Sequence, residues 1–235
     1  MSSSGAANQA GSPYSFKSGR YSSHSLLLGS IGGPGKGRRA LDVGGGEGYL
    51  SRLLHEQGYR VVCLAAPGSV ADPFPDGVEI IEADLDLESP PFSEPFSCIV
   101  CGDVLEHLRD PRKTLQWLRA NLAPGGRLVA SLPNSGHWYF RWTVLRGRFP
   151  ADDRGLFDRT HLHFYTWDGW RALLQSAGFE IAAVAPTTVP FGLAWNLAPG
   201  HVAVRTLERL SYELGRLWKS MFGYQFVIVA RPAGE

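Results

Sequence analysis

No apolar run in this chain approaches the roughly 20 residues needed to cross a bilayer as a helix. The N-terminal stretch holds Ser, Gly, Ala and Asn but lacks the apolar core of a secretory signal, so retention in the cytoplasm is the expectation. Neither sign of charge is in excess. The 23 basic and 22 acidic residues give a formal net charge of +1, which argues against a nucleic-acid partner. Cysteine is scarce: only Cys63, Cys98 and Cys101 occur, and an odd count of three fits a reducing compartment. The Cys98-x-x-Cys101 spacing is not read as a metal or redox pair. It lies inside the strand-like run Phe96 to Cys101, where residues three apart point to opposite faces.

What the chain does have is enough apolar material for a large core: 235 residues, 44% of them hydrophobic. That suits one α/β domain with insertions. Residues 1–19 are rich in Ser and Gly and read as a disordered tail before a domain over 20–235. A short helix is expected from Tyr21 to Ile31. The Gly-rich stretch Gly32 to Gly37 resembles a phosphate loop superficially. Ser30 and Gly37 stand where such a loop needs Gly and Ser or Thr, so the match fails.

Strand and helix signals then alternate. Strands are expected at Arg39–Val43, Arg60–Leu64, Val78–Ile81, Phe96–Cys101, Arg127–Ser131, Phe179–Val184 and Tyr224–Ala230. Helices are expected over Gly48–Gln57, Pro111–Asn121, Trp167–Ser176 and roughly His201–Met221. Pro124-Gly125-Gly126 reads as the turn before strand five. Alternation of this kind predicts a doubly wound, mostly parallel sheet with helices on both faces.

The most informative segment is Ala40-Leu41-Asp42-Val43-Gly44-Gly45-Gly46-Glu47-Gly48-Tyr49-Leu50. An apolar run precedes the glycines, and Leu50, Leu53 and Leu54 follow at helical spacing, so the glycines sit on a strand-to-helix turn. Such a turn lets a ligand approach bare backbone beside a helix N-terminus. The dinucleotide pattern Gly-x-Gly-x-x-Gly fails from Gly44, because its last position is Tyr49. The spacing found is Asp-x-Gly-x-Gly-x-Gly. It resembles the first motif of the Rossmann-like S-adenosylmethionine-dependent methyltransferases.

Three later segments resemble the same superfamily in the same order: Ile81-Glu82-Ala83-Asp84-Leu85, Cys101-Gly102-Asp103-Val104-Leu105-Glu106-His107-Leu108, and Leu122-Ala123-Pro124-Gly125-Gly126-Arg127-Leu128. The resemblance implies a seven-stranded α/β sheet with an antiparallel last strand and S-adenosylmethionine as cofactor. It implies cofactor contacts from Asp42, Gly44, Gly45 and Gly46. It also implies them from Asp84 to the adenine amino group, from the Leu85 amide, and from Asp103. Glu106 and His107 remain open between catalysis, a metal and loop packing; no metal is assigned. One departure stands out. The family has an acidic residue at the end of strand two, and here the chain reads Val62-Cys63-Leu64-Ala65-Ala66-Pro67-Gly68-Ser69. Ser69 or a backbone group is left to replace it, or cofactor binding is weak or lost.

The stretch 133–165 reads as a substrate-side insert. Pro133-Asn134-Ser135-Gly136-His137-Trp138 and Asp158-Arg159-Thr160-His161-Leu162-His163-Phe164 resemble a bacterial subgroup associated with cell-surface polysaccharide and glycan assembly. That implies O-methylation of a sugar, glycan or other small hydroxyl acceptor, with anionic and lipid-linked acceptors among those it allows. The alternatives are a quinone or aromatic-hydroxyl methyltransferase and a non-catalytic scaffold. A hydroxyl needs a base, and histidine is the usual one. His161 is preferred and His107 is a second candidate, with His137 and His163 behind them. Aromatics interleaved with Arg141, Arg146 and Arg148 suit a ring-bearing, anionic acceptor or plain local packing. The amphipathic segment 187–222 reads as a lid, a dimer surface, or a helix at a membrane interface.

Overall fold

The computed structural model describes residues 19–191 and 201–234. Most of the expected N-terminal tail and Trp195 of the 187–222 segment lie outside the described residues.

The chain opens with α1 (Ser23–Ile31), where the Ser22 hydroxyl accepts from the Ser25 amide at 3.3 Å and Gly32 closes the helix at φ 82°. Strand β1 (Arg39–Val43) leads through the glycine turn into α2 (Tyr49–Glu56). Then come β2 (Arg60–Ala65), β3 (Glu79–Glu82) and β4 (Phe96–Gly102), followed by a single 3-10 turn at Leu105–His107. Helix α3 (Pro111–Ala120) starts where Asp110 accepts from the Lys113 amide and Pro111 occupies the first turn. Strand β5 (Leu122–Pro133), α4 (Trp138–Leu145), α5 (Trp167–Ser176) and β6 (Phe179–Pro186) follow. The chain ends with α6 (Val202–Leu217), α7 (Lys219–Phe222) and β7 (Gln225–Pro232).

The seven strands form one sheet in the order β3-β2-β1-β4-β5-β7-β6. The first five are parallel, and β7 runs antiparallel to both β5 and β6. Two apolar clusters cover its faces. One holds Leu115 and Leu118 of α3 with Trp170 and Leu174 of α5. The other holds Leu27 and Ile31 of α1 with Leu50 and Leu54 of α2. Cys101 belongs to the first cluster and Cys98 to the second, so the two thiols face opposite sides of β4. All three cysteines are buried and free.

The start of β5 departs from expectation. Leu122 pairs with Phe96 and Arg127 with Cys98, so Pro124, Gly125 and Gly126 are looped out within the strand rather than forming a turn before it. Gly125 takes φ 69°, which a bulge of this kind requires of glycine. The aromatic insert is also more ordered than its composition suggested. Residues Trp138 to Leu145 form a helix, and Phe140 stacks on Phe157 with centroids 4.4 Å apart. Phe149 meets Phe157 and Phe164 edge-on. Phe140 and Phe149 therefore hold the loop 150–164 onto α4, while Trp138, Tyr139, Trp142 and much of Phe149 stay exposed. Helix α6 keeps Leu210, Leu214 and Leu217 exposed and meets the N-terminal segment through a Tyr21–Tyr212 stack at 4.2 Å. Among the described residues no helix is long and apolar enough to cross a membrane.

Candidate active site

Open parallel sheets bind ligands beyond the carboxyl ends of their strands. Here a cavity of about 1330 Å³ lies there. It runs from the glycine turn after β1, past Asp103 after β4, to the loop Asp152–His161. A single small-molecule pocket holds roughly 300–1,000 Å³, so this space accommodates a cofactor and an acceptor together.

The glycine turn is shaped for close approach. Gly44 and Gly48 have φ 78° and 70°, the left-handed region. A Cβ on Gly45 would stand at 2.3 Å from Asp42 Oδ2, and one on Gly46 at 2.5 Å from the Ser69 carbonyl oxygen. Asp42 is 1% exposed. Its Oδ2 accepts from the Ser51 hydroxyl at 2.6 Å, and its Oδ1 has no hydrogen-bond partner among the described residues. Burial raises its pKa to about 6, against the lowering effect of Ser51. A buried acceptor left open beside a backbone cradle is what a cofactor carrying amine and hydroxyl donors would satisfy, so these residues fit the group that the sequence implied.

Asp103 occupies the left-handed region at φ 56°, uncommon for a residue with a side chain. Its carboxylate accepts from the Ser131 hydroxyl at 2.6 Å and from Gln225 Nε2 at 2.9 Å. Neither Ser131, Gln225 nor Ser51 was singled out in the sequence. The one available signal was Gln225, a lone polar residue opening the apolar run Phe226 to Ala230.

No carboxylate stands at the end of β2. Glu82, at the end of β3, accepts from the Gly68 amide at 2.9 Å but does not line the cavity. Ser69 lines the cavity while its hydroxyl donates to the Ala66 carbonyl at 2.7 Å. Glu47, which sequence reasoning passed over, also lines the cavity. The cavity wall reaches Ala66 but does not include Asp84 or Leu85. The physical reason is local: Asp84 Oδ1 accepts from the Asp86 amide at 3.0 Å, turning the carboxylate into its own loop, and Leu85 packs against the core.

Across the cavity, the 3-10 turn and the loop after α4 meet. The Glu106 carbonyl accepts from the amides of Leu162 and His163 at 2.8 and 3.2 Å. Asp158 Oδ1 accepts from the Thr160 amide and hydroxyl at 2.8 and 2.6 Å. With its proton so committed, the Thr160 hydroxyl accepts from His107 Nδ1 at 3.0 Å, which makes Nδ1 the donor nitrogen of that ring. His161 and His107 meet edge to face with centroids 4.8 Å apart. His161 Nε2 stands 3.9 Å from Glu106 Oε1, and the two side chains are 6% and 1% exposed. Burial, then the neighbouring His107, lowers the His161 pKa to about 4, so its imidazole is neutral near pH 7.

The two remaining histidine candidates are engaged structurally. His137 is buried, its pKa is lowered by burial to about 4, and its Nδ1 accepts from the Tyr139 amide as the N-cap of α4. His163 Nε2 bonds the Leu108 carbonyl at 2.9 Å.

A family model described as "Methyltransferase domain" matches residues 21–184. The chain is 37% identical over 111 residues to a ubiquinone biosynthesis O-methyltransferase of Xylella fastidiosa, covering 43% of this chain and 44% of that protein. It is 27% identical over 163 residues to the tRNA 5-carboxymethoxyuridine methyltransferase of Escherichia coli, covering 61% and 60%. The chain thus spans about half the length of the curated relatives it matches. Among solved structures, an S-adenosylmethionine dependent methyltransferase from Mesorhizobium loti superposes with TM-score 0.61 at 20% identity, covering 89% of this chain and 98% of that one. At that identity the likeness shows the fold. None of these relatives supports the expected glycan-assembly subgroup.

Proposed function

The chain belongs to the methyltransferase-domain family, with S-adenosylmethionine as methyl donor, and on that premise we propose that it methylates a hydroxyl of a small ring-bearing acceptor enclosed by the cavity. One observation carries the reading. A single cavity has the glycine cradle with Asp42 at one end and the Glu106, His107 and His161 cluster at the other. The donor supplies an electrophilic methyl group. The chain has to hold the acceptor in line with it, exclude water and receive a proton.

Gly44, Gly45 and Gly46 admit the cofactor to the backbone, and the open Oδ1 of Asp42 accepts from its polar end. Asp103, fixed by Ser131 and Gln225, faces the same space. Asp84 and the Leu85 amide follow Ala83, whose amide bonds the Ala65 carbonyl. That pairing supports assigning them to the adenine end, one strand beyond Ala66. Ser69 is the polar group at the end of β2 for the ribose side. His161 is the proton acceptor: it is neutral, it lines the cavity, and the Asp158 and Asp103 carboxylates favour the imidazolium that forms. Trp138 and Tyr139 give the acceptor end aromatic faces on which a ring can stack.

A phenolic or quinol hydroxyl is the second acceptor class beside a sugar hydroxyl, favoured by the ubiquinone O-methyltransferase relatives. The test is calorimetric titration with S-adenosylhomocysteine, followed by transfer of labelled methyl to nucleotide sugars, glycans, catechols and tRNA. Saturable binding with transfer to a hydroxyl supports the proposal. Binding without transfer to any class favours the scaffold alternative, and no binding overturns the cofactor site.

A further inference from the structure

We propose that Glu106, His107 and His161 form a binding site for one borderline divalent cation, such as Zn²⁺ or Fe²⁺, at the acceptor end of the cavity. The ligand atoms these three side chains offer all lie within 4.8 Å of one another. A tetrahedral ion with bonds of about 2.1 Å needs its ligands roughly 3.4 Å apart. Shifts of about 1 Å, within side-chain torsional freedom, close that gap.

The chemistry of the set suits a transition-series ion. Two imidazoles and one carboxylate favour zinc or iron over calcium, magnesium or manganese, which prefer oxygen ligands. A second observation points the same way: His161 is 6% exposed, lines the cavity, and has its Nδ1 buried with no hydrogen-bond partner among the described residues. A buried ring nitrogen with no partner costs free energy that a ligand would recover.

The surroundings are built as an outer shell. Thr160 accepts from His107 Nδ1 through its carbonyl at 3.2 Å and its hydroxyl at 3.0 Å, fixing the ring and presenting Nε2. Asp158 in turn fixes Thr160. The Glu106 carbonyl ties the two ligand-bearing segments together through Leu162 and His163. The sequence separates Glu106 and His107 from His161 by more than 50 residues, and these bonds bring them into register.

Three protein ligands in a tetrahedral set leave one position open toward the cavity. Resting on the hydroxyl-methylation reading, that position is for the acceptor hydroxyl oxygen. A cation there lowers the pKa of the bound hydroxyl. With the ion bound the proton passes to water at the cavity mouth, and in the ion-free chain it passes to His161.

The test uses the full chain, stripped with a chelator and then saturated with S-adenosylhomocysteine. Co²⁺ is titrated by visible absorption and Zn²⁺ by calorimetry. The expected result is one equivalent bound, with d–d bands of low-coordinate Co²⁺. Glu106→Gln and His161→Gln should each weaken binding by more than the roughly 10–100-fold typical of an outer-shell loss, with S-adenosylhomocysteine affinity retained. If Glu106→Gln does not fold, His107→Gln, at a half-buried position, makes the same comparison. No saturable binding below about 1 mM in a chain that binds S-adenosylhomocysteine overturns the site, and so does binding that the variants leave unchanged. Failure of the methyltransferase reading shows separately, as metal binding without S-adenosylhomocysteine binding.

Discussion

Gln225 donates through Nε2 to Asp103 Oδ1 at 2.9 Å, joining the first residue of β7 to the residue that follows β4. The bond crosses β5, whose Ser131 donates to the same oxygen at 2.6 Å. Asp103 is held by two strands at a backbone conformation that few side chains tolerate. Gln225→Ala removes one donor to a charged acceptor and should cost about 1–3 kcal/mol. Asp103→Ala loses both bonds and should cost at least as much. Denaturant unfolding measures both; a Gln225→Ala midpoint equal to wild type would show that the bond does not restrain Asp103.

The glycine cradle gives a prediction about space. Gly45→Ala places a methyl group 2.3 Å from Asp42 Oδ2, and Gly46→Ala places one 2.5 Å from a backbone oxygen. Overpacking of this kind typically costs about 1–3 kcal/mol. Both variants should lose at least tenfold in S-adenosylhomocysteine affinity by calorimetry. Gly125→Ala, with nothing within 4 Å but φ 69°, should lose stability without losing affinity.

Asp84 separates two contributions. Asp84→Ala removes both the Asp86 loop bond and the proposed adenine acceptor, and should weaken cofactor binding by about 1–3 kcal/mol. Asp84→Asn keeps an acceptor for the Asp86 amide. It should match the wild type in melting temperature while still binding the cofactor less tightly. Equal affinity in all three proteins would remove Asp84 from the site.

His137 and Asp42 act oppositely on stability as pH changes. The folded chain holds the His137 pKa near 4, below the ordinary 6.5, because burial disfavours its charge. The unfolded chain therefore binds more protons between about pH 6.5 and 4. His137 contributes stability in full above 6.5 and loses it as pH falls through that window. Asp42 is raised to about 6 by burial, so the folded chain holds the extra proton, and its contribution falls as pH rises from about 4 to 6. His137→Asn retains an N-cap acceptor. It should flatten the acid limb of the stability profile by about 1–3 kcal/mol between pH 7 and 4. Asp42→Asn should steepen it. Urea midpoints across that range test both signs.

Much of this was legible before the structure. Asp42 and the glycines announced a ligand turn because their pattern is local: an apolar strand, a bare backbone, a helix start. The doubly wound, mostly parallel sheet followed from alternation. Asp103 was placed at a strand end, but its partners Ser131 and Gln225 were not, because they meet it only through the β4–β5–β7 neighbourhood. The bulge at Pro124 to Gly126 read as a turn since Pro and Gly signal both equally. Glu106, His107 and His161 each drew attention separately, yet no local pattern told that they share one site. The glycan expectation rested on segment likeness alone, and fold likeness does not carry an acceptor.

The last prediction concerns proton transfer. His161→Ala should lower turnover by about 10²–10⁴-fold while leaving cofactor affinity nearly intact. The argument is positional. His161 lies at the other end of the cavity from the glycine turn, with its ring against His107 and Glu106, so its loss should not reach Asp42. A merely structural histidine would show a different signature. The loop 158–163 is tied down by backbone bonds to the Glu106 carbonyl and by Asp158, none of which uses the His161 ring. Removing the ring should therefore leave the loop in place and the melting temperature within a few degrees of wild type. Measuring melting temperature, S-adenosylhomocysteine affinity and turnover on one protein separates the roles. A stable, cofactor-binding His161→Ala with full turnover would exclude His161 and move the proton to His107 Nε2, the other ring nitrogen at the same end of the cavity.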